Sequence, residues 1–276
     1  MSNFGKALFI LFVCNFSALG ITPQTDTFDG GSLNPIQWSE AFLEKTNKGT
    51  SFFNVANGRL NFHVTESTIY NTENSRIIEN KSALPFDKNW ILKIGLHNSA
   101  SFSSASGSSQ LKLLITDSNY DFNYGLTLAK IRNFPSLPIF GLIGKNVDDW
   151  SSLGGIIQPA KESSSAKIEF NKNTKILDVY TATDGADPIL NSYNYKHIGS
   201  TNLSSNNISS FKILILLNVW NVSVGENQIW VDNFQLSEGL VIESQNSTNL
   251  TNWETYQTNL VPRNIPKNFY RLKIIE

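Results

Sequence analysis

Ser51-Phe52-Phe53-Asn54-Val55-Ala56-Asn57-Gly58-Arg59-Leu60-Asn61-Phe62-His63-Val64 decides how the chain folds. Two runs rich in aromatic and β-branched residues flank Asn57-Gly58. That dipeptide suits a two-residue turn with positive φ at both positions, so the stretch reads as a β-hairpin.

The same grammar continues outward. Trp90, Leu92, Ile94 and Leu96 alternate with Lys93 and His97, which places one apolar row on one face of a strand. Leu111 to Thr116 and Asp121 to Ile131 are joined by the polar turn Asp117-Ser118-Asn119. Ala166 to Phe170 and Lys175 to Thr181 form another hairpin across Asn171 to Thr174. Phe211 to Val222 and Gln228 to Leu236 read as further strands. No stretch carries an apolar stripe at helical spacing with caps. About ten or more short strands predict an all-β antiparallel sandwich of the jelly-roll kind.

Composition agrees. The 276 residues are 40% hydrophobic and 16% charged, enough to bury a large core. A net charge of -1 offers no basic field for nucleic acid or an anionic membrane. The first twenty residues pair Lys6 with an apolar run, Ala7 to Phe16, and end in Ala18-Leu19-Gly20. That pattern predicts a cleaved signal peptide over 1–20, with the mature chain secreted, periplasmic or at the cell surface and not held in a membrane. Cys14, the single cysteine, falls in this leader, so a mature chain would lack disulfides and thiolate chemistry.

The body of the sandwich is expected over 21–238. A compositional shift near Gly239 marks a short β-rich C-terminal extension, 239–276. Three stretches read as loops: the serine-rich Asn98 to Ser109, the Asn133 to Ser152 segment with Pro135 and Pro138, and Ser200 to Ser210. Loops on a rigid scaffold are where binding residues concentrate.

Two segments carry a resemblance. Thr27-Phe28-Asp29-Gly30-Gly31-Ser32-Leu33-Asn34-Pro35-Ile36-Gln37-Trp38 is similar to the opening of concanavalin A-like lectin/glucanase jelly rolls. Ile229-Trp230-Val231-Asp232-Asn233-Phe234-Gln235-Leu236 resembles their closing strand. The resemblance implies that first and last strands lie side by side, bringing Asp26 or Asp29 near Asp232. It further implies a structural calcium ion there, since hard oxygen donors suit that cation. A carboxylate that merely ends a strand or caps a turn accounts for the same residues. The tail from Glu243 to Leu272 resembles a C-terminal segment of exported proteins from Verrucomicrobia-like bacteria.

For function, the sequence first limits catalysis. The glucanase pattern Glu-x-Asp-x-(x)-Glu, which alternation would put on one face, does not occur. Asp148-Asp149 and Asp184 with Asp187 read as solvated loops. Tyr193, Tyr195 and His197 share a face of an alternating strand, a set that could serve a lyase as acid and base, although core packing or sugar stacking explains the same residues more cheaply. Sugars present apolar faces to aromatic rings and hydroxyls to polar groups. Tyr120, Tyr124, Trp150, Tyr193, Tyr195 and His197 are therefore the candidate ligand-binding residues, with extracellular polysaccharide as the expected partner. Trp38 and Trp230 read as core anchors. Two other readings stay open: an exported structural protein without ligand, and a glycan-degrading hydrolase or lyase.

Overall fold

A computed structural model of the chain describes residues 21–41, 50–65, 73–102, 107–120, 122–131, 138–144, 155–188, 194–246 and 254–262. The expected leader, residues 1–20, lies outside these, as do Trp150 and Tyr193.

The described chain forms sixteen strands and no helix. In order they are β1 (Gln24–Asp26), β2 (Trp38–Ala41), β3 (Thr50–Ala56), β4 (Arg59–Thr65), β5 (Glu73–Pro85), β6 (Trp90–Asn98), β7 (Ser108–Asp117) and β8 (Asn123–Ile131). There follow β9 (Ile139–Ile143), β10 (Gly155–Pro159), β11 (Ser163–Asn171), β12 (Ile176–Ala182), β13 (Lys196–Asn202), β14 (Ser210–Trp220), β15 (Ile229–Asn246) and β16 (Glu254–Pro262). All pairings are antiparallel. One sheet runs β13-β12-β11-β6-β15-β4-β3, with β1 and β16 also on β15; the other runs β10-β9-β8-β7-β14-β5-β2. The protein is an all-β sandwich, as the alternation predicts.

The hairpin at Asn57-Gly58 forms as read: β3 and β4 pair from Thr50↔Thr65 to Ala56↔Arg59, and both turn residues have positive φ (57° and 65°). The predicted row Trp90, Leu92, Ile94 and Leu96 is wholly buried between the sheets. There Trp90 lies 5.6 Å from both Phe170 and Phe211, ring centre to ring centre. Such aromatic packing, at roughly 1.5–3 kcal/mol per buried large apolar side chain, is what holds the two sheets together.

The jelly-roll expectation for the chain ends also holds. β1 pairs with β15 from Gln24↔Leu236 to Asp26↔Phe234. Trp38 of the opening segment meets Phe234 of the closing strand edge-on at 4.8 Å. β15 continues unbroken past Gly239, where its far half pairs with β16 instead of the sandwich.

Candidate functional site

Two places gather chemistry-bearing side chains. One is the outward face of the nine-stranded sheet, where several predicted residues fall. The other is a cleft between two loops at one end of the sandwich.

Alternation along β6, β11, β12 and β15 sends the apolar set inward and leaves Lys93, His97, Lys167, Glu169, Asp178, Tyr180, Trp230 and Asp232 on the outward face. Trp230 is 6% exposed: the Arg59 guanidinium sits 4.0 Å above its ring, and His97 stacks on it at 4.7 Å and 8°. Trp230 is thus buried beneath Arg59 and His97 on the outward face and not in the core between the sheets, the place expected of a core anchor. His97 is bound to Ser163 Oγ through Nδ1 (2.8 Å), and burial lowers its pKa. Lys167 lies directly across from Lys93, 3.9 Å above the Tyr180 ring and paired with Glu169 at 2.8 Å. Burial, then the Lys167 charge, lowers the Lys93 pKa.

Tyr195 and His197 share this face, as expected. Burial pushes the Tyr195 phenol well above its usual range, which makes it a poor base near neutrality. His197 Nε2 lies 2.9 Å from both Asp178 Oδ1 and Ser200 Oγ, and the Ser200 hydroxyl donates to the same Asp178 oxygen at 2.5 Å. A serine-histidine-aspartate relay needs the two imidazole nitrogens to address different partners. Here one nitrogen faces both, so the trio is a surface hydrogen-bond knot.

Asp232 stands at a bulge. The β15–β6 register shifts between Asp232 and Gln235, and Asn233 adopts φ 53°. Burial raises the Asp232 pKa to about 6; the Asn233 amide and Arg59 oppose the shift, and Asp29 and Asp187 add to it. Asp26, by contrast, is spent: Oδ1 accepts the Phe28 amide (2.7 Å) and Oδ2 accepts the Trp38 indole (2.8 Å). Asp29 Oδ2 takes the Thr27 hydroxyl at 2.7 Å. A calcium ion wants six to eight converging oxygens. Among the described residues no group of three or more His, Cys, Asp or Glu could hold a metal. Asp29 stands near enough to Asp232 for its charge to raise the Asp232 pKa, the approach that the resemblance implied for this pair, while Asp26 serves as a turn cap and indole acceptor.

The remaining candidates separate. Tyr124 faces inward, 3% exposed, and burial carries its phenol to about 12; its ring belongs to the core and offers no platform. Tyr120 does not continue the Phe122–Tyr124 row. It lies in the turn before β8 with φ 63°, which swings it out to 39% exposure. Its hydroxyl donates to Glu79 (2.7 Å) and accepts from Lys212 (2.8 Å), with the Lys212 ammonium 4.3 Å above the ring.

The cleft lies between the segment after β6 and the loop from β14 to β15. Its volume is about 370 Å³, and Ser101, Phe102, Ser223, Gly225 and Gln228 line it. Both walls are built firmly. Asn98, fully buried, donates to the Ser109 and Leu128 carbonyls (3.2 and 3.1 Å) and accepts from the Ser109 hydroxyl (2.9 Å). The Ser99 amide donates to the Gln228 carbonyl at 2.7 Å, tying one loop to the other. Val224 is bridged to Val64 by paired backbone bonds (3.0 and 3.1 Å). Asn221 and Asn227 bend the second loop with φ 52° and 58°, a conformation asparagine tolerates.

Within the cleft, the Gly225 amide donates to Gln228 Oε1 at 2.8 Å. Since an N–H must meet an acceptor, this fixes the amide's orientation and leaves Gln228 Nε2 as the donor for a ligand. Phe102 packs partly on the core and partly lines the opening. Trp220, 39% exposed, stands at the root of the second loop. The serine-rich loop was legible in the sequence as a place for function; its partnership with the loop before β15 was not, and neither were Phe102 and Gln228 as site residues.

No family model matches the chain, and no curated protein does. Solved structures do. Lectin II from Ulex europaeus aligns with 80% of this chain and 100% of its own at 10% identity and TM-score 0.49. The carbohydrate recognition domain of Emp47p aligns with 82% and 100%, at 12% identity and TM-score 0.44. A structure from work on endo-acting O-glycanases of human gut microbiota that initiate mucin breakdown aligns with 78% and 98%, at 11% and 0.49. The likeness is one of fold.

Proposed function

We propose that this chain is an exported, non-catalytic carbohydrate-binding protein that recognises extracellular polysaccharide, with the cleft at Phe102 and Gln228 as its binding site. One observation carries the reading: an aromatic ring lines an open cleft beside two hydroxyls and an amide. That combination matches a sugar, which needs an apolar surface for its C–H face and paired donors and acceptors for its hydroxyls. The volume falls at the low end of the ~300–1,000 Å³ of small-molecule sites. None of the five lining residues is ionisable, so binding without proton transfer is what they suit. The leader-like residues 1–20 support export.

Retention on immobilised polysaccharide tests this. The wild-type chain is retained on at least one glycan, and Phe102→Ala weakens retention about tenfold when measured well below the variant's melting temperature, which falls because Phe102 also packs on the core. Equal retention of both proteins would overturn the assignment of the cleft.

A further inference from the structure

Resting on that reading, we infer that the cleft selects neutral glycans and rejects anionic ones such as uronates and sulfated chains. The lining supplies hydroxyls, one amide and one aromatic ring, and no cation. The turn that bears Gly225 and Gln228 also carries Glu226, exposed and between them in sequence. Several cationic side chains of the described structure are engaged away from the lining. At the root of the first loop, where the Asn98 amide meets the Glu162 carbonyl, Lys130 is held by the Glu162 carboxylate at 3.0 Å. Lys93 and Lys167 sit on the outward sheet face among Tyr180, Tyr195 and Glu169. Lys212 is tied to Glu79 and Tyr120.

A carboxylate or sulfate entering this cleft would shed water without gaining a charged partner among the lining residues, on a turn that carries the negative charge of Glu226. A neutral sugar exchanges hydroxyl–water bonds for bonds to Ser101, Ser223 and Gln228 at little net cost. Geometry thus sets a preference by charge before any preference by sugar stereochemistry.

The test compares retention on neutral polysaccharides (glucan, galactan, mannan, xylan) with acidic ones (polygalacturonate, alginate, sulfated galactan). The variants are Gly225→Val and Glu226→Lys. A Cβ at Gly225 meets nothing closer than Gln228 Oε1 at 3.7 Å, so the Gly225→Val backbone is accommodated while its side chain enters the cleft. The expected result is retention on a neutral polymer, insensitive to salt from about 50 to about 500 mM and abolished in Gly225→Val. Acidic polymers should bind about tenfold or more weakly, and Glu226→Lys should gain salt-sensitive retention on them. Wild-type retention on an acidic polymer, lost in Gly225→Val, would overturn the charge selection and leave the glycan-binding reading standing. Retention on none of the polymers would overturn both.

Discussion

The indole Nε1 of Trp38 donates a 2.8 Å hydrogen bond to Oδ2 of Asp26, twelve residues earlier. The other Asp26 oxygen accepts the Phe28 amide, so one carboxylate fastens the opening turn to a tryptophan that is 1% exposed. Asp26→Ala strands a buried indole N–H and should cost about 1–3 kcal/mol. Trp38→Phe removes the donor but keeps a ring. The double variant should lose less than the two single losses added, because the orphaned group is then gone. Urea unfolding of the four proteins measures this; strict additivity would show that the bond carries no coupling.

Asp232 makes stability depend on pH. Its folded pKa, about 6, lies above the ordinary 3.8, so the folded state holds the proton more tightly than the unfolded chain. This contribution is fully present below the unfolded value and is lost as pH rises to about 6. Asp232→Asn should flatten that part of the stability–pH curve and raise stability at neutral pH by on the order of 1 kcal/mol, discounted for partial exposure. Melting curves at acid and neutral pH decide it; an identical pH slope in the variant would contradict the assignment.

Gly95 lies under the loop after β12. A Cβ there would collide with the backbone carbonyl of Ala186. Gly95→Ala should therefore lift the 183–188 segment from the sheet at a cost on the order of 2 kcal/mol. Amide exchange should quicken around Ala186 while β7 and β14 stay protected. Unchanged exchange at Ala186 would mean that the loop does not rest on Gly95.

Tyr120, Lys212 and Glu79 form a surface trio whose removal should leave glycan retention intact. Tyr120→Phe deletes one hydroxyl bonded to both partners and should cost no more than about 1 kcal/mol. A loss of retention on polysaccharide in this variant would move the binding site from the loop cleft to the seven-stranded sheet.

Period-two alternation made the sandwich readable. Leu92 and Ile94 could face only one way once Lys93 had to face the other, and Asn57-Gly58 fixed a register locally. The neighbouring end strands were readable because two short motifs bracketed the body. Side-chain placement failed where a single residue broke the period. The turn after β7 includes Tyr120, with positive φ, so Tyr120 points away from the face that Phe122 and Tyr124 share. Asp26 carries the same carboxylate a metal would want, yet the indole that consumes it is set by a fold-level contact with β15. The cleft was least legible. It brings Phe102 to Gln228 because β6 ends beside the start of β15, paired at Asn98↔Ile229, with Ser99 bonded to the Gln228 carbonyl, a long-range pairing that no local pattern reveals.

The most direct measurement is backbone amide NMR of the protein titrated with oligosaccharides from whichever polymer retains it. The account predicts shifts confined to Ser99–Phe102 and Asn221–Gln228. Shifts centred on Lys93, Tyr195 and His197, with the two loops silent, would contradict it.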